Sequence, residues 1–259
     1  GVYVALPTLR GRCPLRLSRT LLYSPPSMPD SLPPSGGREE RSVIRQLRDV
    51  VFEVDPEEVI IDAKAAGLTV DSIEDFRSLN GTYFLVDKLG KEYARRASRW
   101  CAASGASAGI GGPVTAISLG LGDLANMAAQ LYRLCQKLAI LHGFDPANAL
   151  QRERAQEIYY LALGLDAATV AMLKKMILEA GKRAGKPYAT RSVMIKVVMV
   201  IAKSVGANIS TTQALKYVPV LGGALGGGMN YAFSRTAGNK MLRTFKDDYF
   251  DRWQANGSS

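Results

Sequence analysis

Cysteine and histidine are scarce in this 259-residue chain, which has three of the first and one of the second. Cys13, Cys101 and Cys135 show no C-x-x-C spacing, so neither a disulfide framework nor a zinc site is supported, and a reducing compartment is favoured. With His142 alone, a hydrolytic Ser/His/acid set is disfavoured, and no catalytic residues, metal or cofactor are expected. Alternation of strands with helices is missing too, which argues against a doubly wound α/β fold. Acids are outnumbered: 33 Lys and Arg stand against 23 Asp and Glu, for a net charge of +10. Such a balance suits an anionic partner, either nucleic acid or an anionic membrane surface, with a merely solvated basic face as the plainer alternative. Charge is itself absent from two stretches, Cys101 to Gly122 and Tyr217 to Ser234.

The first uncharged stretch must be tested against a nucleotide-binding turn. Gly105, Gly109 and Gly111 resemble the glycine-rich turn of short-chain dehydrogenases. That turn requires a preceding strand, whereas Lys91 to Ala103 is dense in helix formers and Arg. None of the 11 tyrosines has Lys four residues on. No acid stands about 20 residues past the turn to hold a ribose. The dehydrogenase reading is set aside.

Helical patterns dominate the remainder. Residues 1–37 hold seven of the 12 prolines and read as a disordered or non-native leader. Residues 1–27 read as sequence upstream of a start at Met28, with a mitochondrial-type presequence as the alternative. Residues 38–254 form the helical domain, and residues 255–259 a disordered tail. A short helix is expected around Val43 to Val51. Asp55-Pro56 opens another that Gly67 ends. Asp71 with Glu74 resembles a capping box. A helix over 82–103 is expected to turn Phe84, Leu85, Leu89, Tyr93 and Trp100 inward and Arg95, Arg96 and Arg99 outward. Leu124 to Leu141 carries one continuous apolar face, closed by His142 and Gly143. Asp145-Pro146 opens the next helix, Asp166 caps the one after it, and 193–205 reads as a further helix. Ser210-Thr211 starts a short one ending before Pro219. Arg243, Lys246, Arg252 and Trp253 form a basic, aromatic terminus suited to an anionic interface. Docking of those aromatics in the core is the equal alternative.

Glycine inside a helix costs about 1 kcal/mol against Ala, so a run of glycines needs a packing reason. Gly105 with Gly109, Gly222 with Gly226, and Gly223 with Gly227 are each spaced four apart, which lets two helix backbones approach closely. The expected fold is all-α: one multi-helix bundle with two Gly-rich apolar helices packed centrally. At 22 and 18 uncharged residues, the two runs bracket the ~20 that a bilayer needs. Both are richer in Gly and Ala than in Leu, so insertion would be weakly driven.

Two segments carry a family resemblance. One is Gly111 to Pro146, with its G-G-P turn, L-G-x-x-D-L-A step, Q-L-Y-R-L helix and H-G-F-D-P ending. The other is the P-x-x-G-G-x-x-G-G-G-x-N-Y run after Val218, followed by a basic aromatic stretch. In order and spacing the pair resembles the EcsC family over roughly residues 55–250. The resemblance implies an α-helical protein with membrane-associated apolar segments and an operon link to an ABC transporter, but no catalytic set. Asp123, Asn230 and Arg235 match its polar signature. In an apolar setting they need partners, so a polar clasp of Asp123 with Asn230 or Arg235 is expected. A ligand or enzyme pocket that adds Tyr231 is the alternative. The functional expectation is a cytoplasmic, non-catalytic protein, peripheral to or shallowly inserted in a membrane. It would bind an anionic membrane, a lipid or a membrane protein complex, with nucleic acid not favoured and the oligomeric state open. A soluble helical scaffold is the second alternative.

Overall fold

Helix signals in the sequence become seven α-helices, with no strand, among the residues that this computed structural model describes: 53–108, 113–184, 191–213 and 222–254. They are α1 (Pro56–Ala65), α2 (Tyr83–Ala108), α3 (Pro113–Leu141), α4 (Ala149–Leu163), α5 (Ala167–Ala184), α6 (Arg191–Gln213) and α7 (Gly222–Tyr249). A π-helical turn, Phe250–Gln254, continues α7. The expected leader, the helix around Val43 to Val51, the tail and Gly109 lie outside the described residues.

Several helix ends form as their residues dictate. The Asp55 carboxylate accepts from the Glu57 N–H at 3.0 Å with Pro56 in the first turn, and Gly67 ends the segment at φ +92°. Gly164 adopts φ +71° after α4, and Asp166 accepts from the Thr169 N–H at 2.8 Å to start α5. Other ends differ from expectation. Asp145 does not open α4; it folds into a local turn onto the Ala147 N–H, and Asn148 caps the helix instead. No Asp71 capping box forms, because Asp75 reaches back to the N–H groups of Asp71 and Ser72 and holds a short 3-10 turn. Ser210 and Thr211 start nothing new and simply continue α6.

Helix α3 is the hub and packs on α1, α2, α4, α6 and α7. Its Leu131, Leu134, Leu138 and Leu141 are all buried. The most extensive pairing is between α2 and α7, which run antiparallel: Tyr83 stacks near Tyr249, Gly90 meets Leu242 and Ala94 meets Gly238. Small residues line this seam. A Cβ on Gly90 would lie 2.7 Å from Leu242 Cδ2, and one on Gly238 only 3.3 Å from the Ala94 Cβ. Of the glycines read as packing positions, Gly227 is buried in α7. Gly105, Gly222, Gly223 and Gly226 belong to helices, but their surroundings lie outside the described side chains. The close approach that is visible uses Gly90 and Gly238 instead.

Two aromatic residues on α2 contradict the expected inward face. Leu89 and Tyr93 are buried, but Phe84 is 67% exposed and Trp100 70% exposed. Tyr93 is covered because its hydroxyl donates to Asp62 on α1 at 2.8 Å and Lys137 of α3 lies over its ring. Trp100 sits two turns further on, beyond that cover. Phe84 yields the inward position to its neighbour Tyr83.

Where α3 ends, buried His142 is enclosed by Tyr83, Phe245 and Tyr249. Its Nδ1 lies 2.6 Å from the Leu138 carbonyl, so that nitrogen carries the proton and Nε2 accepts from the Tyr83 hydroxyl at 3.1 Å. Burial pushes the His142 pKa down to about 4. The folded value lies below the unfolded one, so the unfolded chain binds the extra proton first and stability falls as pH drops.

Three outcomes follow for urea unfolding. Gly90→Leu forces side chains into the seam and lowers stability by about 3 kcal/mol. Gly228→Ala, whose Cβ would meet nothing within 4 Å, raises it by about 0.5–1 kcal/mol. On acidification from about 6.5 to about 4, wild type loses stability on the order of 1 kcal/mol per pH unit more than His142→Gln. Parallel pH profiles of the two chains would remove His142 as the cause.

Candidate functional site

Two features concentrate polar chemistry. The first lies where the uncharged stretch of α3 ends. Asn230 Nδ2 donates a short hydrogen bond to Asp123 Oδ2, joining α7 to α3. One turn on, buried Ser234 donates to the Asn230 carbonyl at 2.5 Å, and buried Cys101 of α2 lies nearby. Burial pushes the Cys101 thiol up to about 12, partly opposed by the neighbouring Ser234 hydroxyl. It is therefore no nucleophile near neutral pH. Three helices thus meet at Cys101, Asp123, Asn230 and Ser234, and the arrangement fixes helix register.

The other expected members stay apart. Arg235 follows Asn230 by five residues, which places it about 140° round the helix. Asp123 Oδ1 and Arg235 Nη1 are both buried, and neither has a hydrogen-bond partner among the described residues. Tyr231 is 40% exposed. A large cleft between α3, α4, α5 and α6 is lined by none of Asp123, Asn230, Tyr231 and Arg235.

The second feature is a basic face on the outer side of the α2–α7 pair. On α2 the exposed side chains Lys88, Lys91, Arg95 and Arg99 recur at three- and four-residue intervals, with exposed Arg96 beside them. On α7, exposed Asn239, Arg243 and Lys246 continue the face after half-buried Arg235. The two edges are tied together where Lys246 Nζ lies 5.6 Å from the Tyr83 ring centre. Lys91 is paired with Asp87 and Arg96 with Glu92, both at 2.5 Å. Lys88, Arg95, Arg99, Arg243 and Lys246 make no ion pair among the described residues. Exposed Phe84 stands at one end of the α2 stripe; exposed Trp100, one turn after Arg96, lies off the stripe, on the side of α2 that Tyr93 occupies two turns earlier.

The expected terminal surface is only partly present. Arg243 and Lys246 are exposed as read. Trp253 is not available: its Nε1 donates to the His142 carbonyl at 3.0 Å, its ring packs on Phe144, and Arg77 lies over it at 4.8 Å. Arg252 is turned to Asp248 and the Phe144 ring. The π-helical turn that continues α7 lays this end over the loop after α3. The exposed tryptophan is Trp100, at a position that α2's periodicity had assigned to the core. Its one sequence signal is the neighbouring Arg95, Arg96 and Arg99.

A helical bundle with a polar clasp and a basic face defines an all-α protein. The sequence profile of the EcsC protein family matches residues 45–246, most of the chain, and the protein belongs to that family. No curated protein and no solved structure matches it.

Removing one member of the clasp leaves the other buried without its partner. Asn230→Ala is expected to cost about 2 kcal/mol. Combined with Asp123→Ala it should cost clearly less than the two single changes added together. Strict additivity in a denaturation cycle would dissolve the clasp.

Proposed function

We propose that this protein attaches peripherally to anionic membrane surfaces through the outer face of α2 and α7. The observation that carries this reading is the set of five exposed cations on one helix pair, without ion pairs among the described residues, with exposed Phe84 at one end. Each Lys or Arg near an anionic leaflet contributes about 1 kcal/mol, and the contribution fades within a Debye length. Two lone cations would not hold a protein at a membrane, but five on one rigid face can. Exposed Phe84 adds an apolar ring at one end of that face. No helix of the described residues is long and apolar enough to cross a membrane. Attachment in this reading therefore rests on the surface of folded helices. A membrane-bound protein complex with an acidic surface would use the same cations.

The test is co-sedimentation with vesicles of phosphatidylcholine, alone or with phosphatidylserine. Binding is expected only to the anionic vesicles, weakening at least tenfold between low and high salt. Arg95→Glu/Arg99→Glu/Arg243→Glu should abolish it while leaving the helical signal intact. Absence of binding to anionic vesicles at low salt overturns the proposal.

A further inference from the structure

Helix α5 is joined to the bundle in an unequal way. Its Leu173 is fully buried, and it packs on α6. Toward α4 the link is ionic: Lys174 bridges to Glu153 at 3.0 Å and to Glu157 at 2.8 Å. Beneath that bridge lies a cleft of about 1380 Å³, larger than the roughly 300–1,000 Å³ of sites for drug-sized molecules. Its walls are apolar, formed by Ala139 and Ile140 of α3, Ala155 of α4, Ile177 and Leu178 of α5 and Met194 of α6.

The charges at the rim are not equally engaged. Asp55 caps α1, Asp145 holds the Ala147 N–H, Glu153 is neutralised by Lys174, Arg152 donates to the Pro146 carbonyl, and exposed Glu53 stands on the lining just before α1. Lys175 has one long contact, 3.9 Å to Glu179, and Lys182 makes no ion pair among the described residues. Both lysines belong to α5 and border the same cleft as Leu178. A largely apolar cleft with two available cations on one lip fits a molecule that has a tail and a negative end.

We infer that this cleft binds a single-chain amphiphile with an anionic head, such as a long-chain carboxylate. Its tail lies under α5 against Ile140, Ile177 and Met194, and its head at Lys175 and Lys182. The site uses elements other than the α2–α7 face and does not depend on it.

The full chain is titrated with NBD-labelled palmitate, and the probe is displaced by unlabelled palmitate or by uncharged hexadecanol. One saturable site is expected, with palmitate displacing at least tenfold better than hexadecanol. Ile177→Trp, which fills the cleft from a half-buried position, should weaken uptake of both at least tenfold. Lys175→Glu/Lys182→Glu should weaken palmitate alone. The Arg95→Glu/Arg99→Glu/Arg243→Glu chain should bind as wild type does, which separates this site from adsorption to the basic face. Non-saturable uptake, or full affinity in a folded Ile177→Trp chain, overturns the site. Equal displacement by the two competitors, or an unaffected lysine double variant, overturns the anionic head.

Discussion

Contact between α2 and α7 at nearly backbone distance is the constraint on which the rest of the molecule depends. Gly90 and Ala94 on one helix face Leu242 and Gly238 on the other; even a methyl on Gly90 would lie 2.7 Å from Leu242, and one on Gly238 only 3.3 Å from the Ala94 Cβ. Close approach of this kind brings the buried rows into dense dispersion contact. It also fixes the rotation of each helix about its axis. Once Ala94 and Gly238 face inward, Lys88, Lys91, Arg95 and Arg99 must face outward, as must Arg243 and Lys246. The basic face is thus a geometric consequence of the seam. The Asp123–Asn230 bond fixes α7 against α3 nearer the N-terminal end of α7.

The two tryptophans show how the frame assigns roles. Trp253 looks interfacial by its neighbours Arg252 and Phe250, yet its indole N–H is consumed by the His142 carbonyl and its ring by Phe144. Trp100 falls seven residues after buried Tyr93, a spacing that ordinarily returns to the same face. Periodicity reports which side of a helix a residue occupies. It does not report where along the helix the covering neighbour stops. Tyr93 lies beside Asp62 of α1; Trp100 lies two turns past it. Exposure was therefore settled by the length of another element, which no local pattern encodes.

Much else was legible. The all-α class followed from caps and apolar spacing, and both are properties of short segments. Asp123 with Asn230 could be read as a pair because each is a polar group in an otherwise uncharged run, where an unsatisfied partner is costly. Arg235 could not be sorted from them by that argument, since charge alone does not state the helical angle. Asp145 was misplaced because Asp-Pro serves equally as a cap or as a free-standing turn, and Asn148 three residues later is the better-placed cap. The cleft under α5 had no sequence signature. Its walls come from four helices, and ordinary core residues make them.

The most direct test of the central claim is a cross-link across the seam. A Cβ on Gly238 would stand 3.3 Å from the Ala94 Cβ, close to the ~3.5–4.5 Å of a disulfide. Ala94→Cys/Gly238→Cys should oxidise to a single intramolecular bridge in the folded chain, located by peptide mass spectrometry, with helicity unchanged. Ala94→Cys/Gly228→Cys, ten residues off register on α7, should not. Failure of the first pair to close, or equal closure of both, would contradict the seam and with it the face built upon it.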